Sequence, residues 1–268
     1  MSLNKDYSNL QKIIAEMGSV LVAYSGGIDS TLVLKVAHDT IGPKAGGATA
    51  ISPSLARSEF EGAVSIAKSI GATHFWVKSK QLQNPSYTQN DKTRCYHCKH
   101  DLYENLSLFA KRNGFSHIVN GTHLDDLGDF RPGLRAAKEL EIRSPLLEAQ
   151  LNKAQVRDLS QWLSLPNWNK PADACLASRI PYGVTVTQGR LNQIEKAEDI
   201  IRGEGFKEFR VRYHGDMVRI EVSEGEMPRW ENPLLRLQIV HGLKKLGFTY
   251  ITLDLEGYRK GSLNEGKN

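Results

Sequence analysis

The stretch Val20-Leu21-Val22-Ala23-Tyr24-Ser25-Gly26-Gly27-Ile28-Asp29-Ser30-Thr31-Leu32-Val33-Leu34 sets a short apolar run, a glycine pair and a second apolar run in immediate succession. The first run has the length of a buried strand, and the second opens a helix-patterned segment at 30–41. Two adjacent glycines let the backbone turn tightly and pass close to a ligand. The helix that follows turns free N–H groups and the positive end of its dipole towards the turn, an arrangement that receives phosphate. Ser25 and Ser30 can add hydroxyl donors. The loop lacks a Gly-Lys-Ser/Thr ending and a Gly-x-Gly-x-x-Gly pattern, so it is neither a Walker loop nor a dinucleotide fingerprint.

Working outward, Leu10, Ile13, Ile14 and Met17 predict an amphipathic helix closed by Gly18. Strands are predicted at 19–24, 47–51, 73–77 and 116–120, separated by helices at 30–41, 57–70 and 96–112. Strand and helix in strict alternation imply a parallel sheet covered by helices on both faces, an α/β fold. Ligands then collect at the carboxyl ends of the strands. A helix at 152–164, capped by Asn152, is expected to bury Val156, Leu159, Trp162 and Leu163. The segment 165–187 is aperiodic and carries Pro166, Pro171 and Pro181. The expected organisation is therefore a first domain over 1–170, a connecting active-site loop over 171–187 and a smaller α+β domain over 188–268. The last contains helices at 189–203 and 232–246, strands at 208–213, 217–222 and 249–254, and a hairpin turn at Gly215-Asp216. The tail 260–268 is expected to fray.

Composition narrows the class. The 268 residues are 24% charged and 40% hydrophobic, which excludes a disordered or collagen-like chain. No apolar run approaches the roughly 20 residues of a membrane-spanning helix, and the amino-terminal residues lack the layout of a signal peptide. A cytoplasmic protein without a membrane partner is expected. The net charge of +5 suits a phosphorylated ligand and is too small to demand nucleic acid.

The 3 cysteines are an odd number, which argues against a disulfide framework. Cys95 and Cys98 share a face of the predicted helix, and Cys175 sits in the aperiodic loop. Zinc would need a fourth ligand from His97 or His100, and His97 at i+2 points away from the Cys95 face. A cubic iron–sulfur cluster held by three thiolates would keep one iron without a protein ligand. The alternative is three unconnected, buried thiols acting as small hydrophobes.

Ser25-Gly26-Gly27-Ile28-Asp29-Ser30 after a first strand resembles the pyrophosphate loop of the ATP pyrophosphatase (PP-loop) superfamily. Asn120-Gly121-Thr122, Asp125-Asp126, Asp129-Phe130-Arg131-Pro132-Gly133, Cys175 to Gly183, Arg210-Val211-Arg212-Tyr213-His214 and Leu253-Asp254 narrow the resemblance. Together they are similar to the LarE family of ATP-dependent sulfur transferases, which build the nickel-pincer nucleotide cofactor of lactate racemase. The resemblance runs along nearly the whole chain. It implies that Ser25, Gly26, Gly27, Asp29 and Ser30 hold the pyrophosphate of ATP, with Asp29 acting through Mg2+. It also implies that Ser52 lies by the adenosine, that Gly121 and Asp125 border the nucleotide, and that Glu198 is catalytic. Capping and turn formation is the plain role for the loop Asp125, Asp126, Asp129 and Arg131.

One branch of that family gives up the sulfur of a cysteine one residue before the position of Cys175, a place held here by Ala174. The departure points to the other branch, in which Cys95, Cys98 and Cys175 would bind a 4Fe-4S cluster and serve catalysis. The implied substrate is a pyridinium dicarboxylate mononucleotide, with an external sulfide donor. Arg210 and Arg212 alternate along a strand and so share a face suited to an anion. With Ser178 and Arg179 they are the implied holders of the substrate phosphate. Relatives also suggest a homo-oligomer. Competing readings are a tRNA thiolase, which needs a basic RNA-binding surface, an ammonia-using amidating synthetase, which leaves the cysteines without a role, and an adenine-nucleotide sensor.

Overall fold

The computed structural model describes residues 3–128, 132–171 and 174–259. Asp129, Phe130, Arg131 and the tail 260–268 lie outside the described residues. The chain divides into two compact units. Met1–Tyr87 with Thr93–Asp173 form the first, and Thr88–Lys92 with Ala174–Asn268 form the second.

In the first unit α1 (Leu3–Ala15), β1 (Val20–Ala23), α2 (Ile28–Ile41), β2 (Ala45–Ile51), α3 (Arg57–Ser69) and β3 (Thr73–Lys78) follow in alternation. After the short α4 (Pro85–Thr88) come α5 (Arg94–Asn113), β4 (His117–Val119), α6 (Pro132–Glu139), α7 (Pro145–Glu148) and α8 (Lys153–Trp162). The strands form one parallel sheet in the order β3-β2-β1-β4. Val20 and Val22 of β1 enter a core with Leu10, Ile14, Leu32 and Val36, whereas Leu21 enters a second core with Tyr103, Leu106 and Ala110. Because side chains alternate along a strand, these two cores are the two covered faces expected of a parallel sheet. The chain runs outward from β1 through β2 to β3 and then returns to the far side of β1 as β4. The crevice at the carboxyl ends of β1 and β4 is therefore the topological switch point, where open α/β sheets bind ligands.

Two elements depart from the sequence expectation. Trp162 is 46% exposed and meets Tyr7 edge-on, while Val156 and Leu159 are fully buried. Trp162 lies about 120° round the helix from Val156 and about 60° from Leu159, so it falls at the edge of the buried face, where it stays partly exposed. The helix α6 stands where only turn signals were read, and its Ala136 and Ala137 pack into the second core.

The second unit holds α9 (Gln188–Gly203), β5 (Phe209–His214), β6 (Met217–Val222), α10 (Pro233–Lys245) and β7 (Tyr250–Leu253). Its sheet has the order β5-β6-β7, antiparallel and then parallel. Gly215 takes φ +75° in the two-residue turn after β5, as a hairpin of that length requires. Val211, Val218, Ile220, Ile201, Ile239 and Leu243 form its core. Thr88–Lys92 joins this unit through Asn90, whose side-chain amide donates to the carbonyls of Pro181 at 2.8 Å and Val184 at 2.9 Å. Asn90 adopts φ 58°, a left-handed conformation that asparagine tolerates better than most residues.

A pH dependence follows from His74. Its Nε2 lies 2.8 Å from Thr49 Oγ1, and the Thr49 hydroxyl donates to the Tyr24 carbonyl, so the ring supplies the N–H. Burial lowers the pKa of His74. The folded chain thus holds fewer protons than the unfolded one as pH falls below the ordinary histidine value of about 6.5, and stability declines there. The urea midpoint is expected to drop between about pH 7.5 and about pH 5.5, with a smaller drop in His74→Gln. Equal drops in the two proteins would contradict this role of His74.

Candidate functional site

The loop Ser25–Ser30 leaves β1 and enters α2 at the switch point. Gly26 has φ +73°, and a Cβ on it would lie 2.8 Å from Ala63 Cβ of α3. The Tyr24 hydroxyl donates to the Ala63 carbonyl at 3.1 Å and ties α3 to the end of β1. Burial pushes the Tyr24 phenol up to about 12, so it remains a donor. Gly27 is the N-cap of α2 and carries no capping side chain, which leaves first-turn N–H groups of the helix available to an anion. Ser30 Oγ donates to the Gly27 carbonyl at 3.1 Å and accepts the Ser25 N–H at 3.2 Å, closing the loop on itself. The Ser25 and Ser30 hydroxyls lie 3.2 Å apart.

From the other side of the crevice, Gly121 after β4 presses on the same loop. A Cβ at Gly121 would come within 2.8 Å of the Ser30 nitrogen and 2.9 Å of Asp29 Cβ. The sequence reading thus places Ser25, Gly26, Gly27, Asp29, Ser30 and Gly121 on residues that the fold brings together. Asp125 sits differently: its carboxylate accepts the Lys153 N–H at 2.9 Å and so caps α8. Asp126 accepts the His123 N–H at 3.0 Å, a turn-forming bond. Ser52 follows β2, and its hydroxyl lies 3.0 Å from Ser54 Oγ.

Three further residues of this site were not read from the sequence. Lys153 Nζ forms an ion pair with Asp29 Oδ1. His123 Nε2 lies 3.9 Å from the same oxygen, and its buried Nδ1 has no hydrogen-bond partner among the described residues. The side-chain amide of Asn167, 5% exposed, donates to the Gly26 carbonyl at 2.9 Å and to Thr31 Oγ1 at 3.0 Å, bracing the loop at both ends. A signal for Lys153 was present: a cation directly after the Asn152 cap stands at the helix end whose dipole disfavours it. His123 and Asn167 carry no such mark.

In the second unit, Arg179 Nε donates to Glu198 Oε1 at 2.8 Å, with both side chains almost wholly buried. Arg179 Nη1 donates to the carbonyls of Ala174 and Cys175, the latter at 3.1 Å, and to Ser178 Oγ at 3.2 Å. Glu198 therefore acts on the Cys175 segment through Arg179. Arg212, 5% exposed, places Nε and Nη2 on Glu221 at 3.0 and 2.8 Å and Nη1 on the Ser178 carbonyl at 3.2 Å. Arg219 stands opposite Arg212 in the strand register and shares Glu221 at 3.0 Å, which offsets the repulsion of the facing cations. Arg210 stacks on Tyr258 with 4.8 Å to the ring centre.

All three cysteines are unbridged; Cys95 and Cys175 are exposed and Cys98 is intermediate, which excludes the buried-hydrophobe alternative. Cys95 and Cys98 occupy the start of α5 in the first unit, and Cys175 belongs to the second. Among the described residues no group of three or more His, Cys, Asp or Glu is assembled as a metal centre. Cys95 and Cys98, unbridged and at i and i+3 on one helix, have the donor chemistry that thiolate ligation of a cluster uses. None of the helices among the described residues is long and apolar enough to cross a membrane.

A parallel α/β sheet with a Ser-Gly-Gly-Ile-Asp-Ser loop at its switch point is a fold of the PP-loop kind. No family model matches the chain. It is 38% identical over 259 residues to the pyridinium-3,5-bisthiocarboxylic acid mononucleotide synthase of Lactiplantibacillus plantarum, covering 96% of this chain and 93% of that one. The chain belongs to that family, the LarE family. An uncharacterized protein of Synechocystis sp. is 43% identical over 262 residues, 98% of each chain. An uncharacterized protein of Methanocaldococcus jannaschii is 27% identical over 240 residues, 90% of each chain.

The Arg179–Glu198 pair makes a stability prediction. Glu198→Gln leaves a buried guanidinium without its counter-charge, at an expected cost of about 3 kcal/mol in chemical denaturation. A loss well under about 1 kcal/mol would mean that water reaches Arg179 in the folded chain.

Proposed function

We propose that this chain is an ATP-dependent sulfur transferase that converts a carboxylate of a pyridinium-3,5-dicarboxylate mononucleotide into a thiocarboxylate. The observation that carries the reading is the family relationship to a bisthiocarboxylic acid mononucleotide synthase along nearly the full chain, together with the phosphate-receiving loop at the sheet's switch point.

In this reading the N–H groups at the start of α2, with Ser25 and Ser30, bind the leaving pyrophosphate. Asp29 directs Mg2+, a cation usually held by one or two carboxylates and the substrate phosphates. Lys153, already paired with Asp29, supplies a second positive charge to the polyphosphate. Ser52 lies beside the adenosine. The acceptor carboxylate attacks the α-phosphorus, pyrophosphate leaves, and the carboxyl carbon now carries AMP as a good leaving group. Sulfide attacks that carbon and AMP departs, so two carboxylates consume two ATP. Cys95, Cys98 and Cys175 would hold a 4Fe-4S cluster, which when bound would supply a place to keep sulfide for transfer. Arg210 and Ser178 receive the phosphate of the mononucleotide, with the charges of the buried Arg212 and Arg179 behind them. Arg179 and Glu198 also fix the carbonyls around Cys175, so Glu198 serves as a positioning residue.

Two measurements test this. Pyrophosphate release from ATP should require the dicarboxylate mononucleotide, and Asp29→Ala should reduce it at least about 100-fold, the scale of losing one preorganised electrostatic group, without lowering the melting temperature. Unchanged turnover in that variant would move the nucleotide elsewhere. Anaerobically reconstituted protein should carry about 4 iron atoms per chain, as a cubic cluster requires. Each of Cys95→Ala, Cys98→Ala and Cys175→Ala should lose iron while retaining ATP binding. Full iron content in all three variants would remove the cluster from the account.

A further inference from the structure

Gln81 lies in a one-turn 3-10 helix, Gln81–Gln83, after β3 and is 2% exposed. A buried carboxamide is costly unless both of its ends find partners, and here both do. Its Nε2 donates to Ser54 Oγ at 2.6 Å, and its Oε1 accepts from Cys98 Sγ at 3.4 Å. Ser54 Oγ in turn lies 3.0 Å from Ser52 Oγ. Ser52, Ser54, Gln81 and Cys98 thus form a continuous chain within the first unit, running from the loop after β2 to the start of α5.

The backbone around Gln81 is anchored as well. Its N–H donates to Ser79 Oγ at 3.2 Å, and the Ser79 hydroxyl donates to Asp101 Oδ2 of α5 at 2.6 Å. The carboxamide is therefore seated on the same helix that carries Cys98. An amide has one donating and one accepting end, so rotating or displacing either neighbour obliges the other to adjust.

We propose that Gln81 is a positioning residue of the iron-free chain: its Oε1 holds the protonated Cys98 Sγ, a bond that cluster loading would release, and through it the occupancy of the Ser52–Ser54 loop by a nucleotide is transmitted to the thiol. The inference rests on the reading above, in which Ser52 flanks the adenosine and Cys98 takes part in sulfur transfer. It adds that these two parts of the site are coupled, and that the coupling runs through one buried side chain.

The test uses the full chain purified without added iron and reads alkylation of each cysteine by iodoacetamide with peptide mass spectrometry. Cys95, which lies on the same helix, is the internal reference. In the wild type, α,β-methylene-ATP is expected to change the Cys98 rate several-fold relative to Cys95. Gln81→Met keeps the side-chain volume and removes both hydrogen bonds; Cys98 should then react several-fold faster and ignore the analogue. Gln81→Glu, whose carboxylate can accept from both the thiol and the Ser54 hydroxyl, should restore the slow, nucleotide-sensitive rate, a rescue that a merely structural role does not produce.

A folded Gln81→Met protein with a wild-type Cys98 rate and intact analogue binding by calorimetry overturns the positioning role while leaving the functional reading standing. Should Gln81→Met fail to fold, Ser54→Ala removes the acceptor of the same amide, and an unchanged Cys98 rate there is equally decisive against the proposal. Absence of analogue binding by the wild type instead overturns the functional reading and the transmission with it.

Discussion

The loop between β1 and α2 keeps its shape because two close approaches leave no room for a side chain. Gly26 meets Ala63 of α3, and Gly121 meets the backbone of Asp29 and Ser30; in both places a Cβ would fall at or below 2.9 Å from its neighbours. Separations that short are not tolerated in packed interiors, so a larger residue at either position must displace a backbone. The rest of the first unit serves this junction. β1 lies at the centre of the sheet, α3 and β4 supply the two surfaces that close on the loop, and Asn167 ties its two ends together. The Asp125 carboxylate caps α8 and so brings Lys153 to Asp29.

The second unit answers a different constraint. It buries two guanidinium groups, each paired with a glutamate, and a buried pair is costly to break even where it adds little net stability. Arg179, paired with Glu198, holds the Ala174 and Cys175 carbonyls, which flank the Cys175 α-carbon, and this orders the backbone that bears an exposed thiol. Arg212 and Arg219 share Glu221, and Arg219 also reaches Asp254 at 3.5 Å. Arginine's planar fork suits such bidentate bonding, and lysine could not replace it.

Elements governed by local periodicity were legible from the sequence. The strands of the first unit, with α1, α2, α3, α5 and α8, stand within a few residues of their expected bounds, and the order of elements sufficed for a parallel sheet covered on both faces. The Ser-Gly-Gly-Ile-Asp-Ser loop and the hairpin at Gly215 were legible because glycine spacing states a backbone requirement directly. What escaped is what arises only on folding. Asn167 acquires its partners across more than a hundred positions of chain, and Gln81 becomes a link between Ser54 and Cys98 only after β3 and α5 pack. Arg212 read as one of two cations on a strand face; that it faces Arg219 and needs Glu221 depends on a register that no single strand records. Trp162 was misplaced because it stands at the edge of the apolar face, about 120° round from Val156, while Leu163 beyond it packs on the core.

Under the proposed function, sulfur is supplied from outside and the protein emerges unchanged. Ala174 stands where a sacrificial thiol would be expected, and all three cysteines are unbridged. The most direct test is the intact mass of iron-reconstituted protein after reaction with ATP, the dicarboxylate mononucleotide and excess sulfide. An unchanged mass with several products formed per chain is the predicted result. A loss of one H₂S from Cys175, with a single product per chain and no dependence on iron, would contradict it.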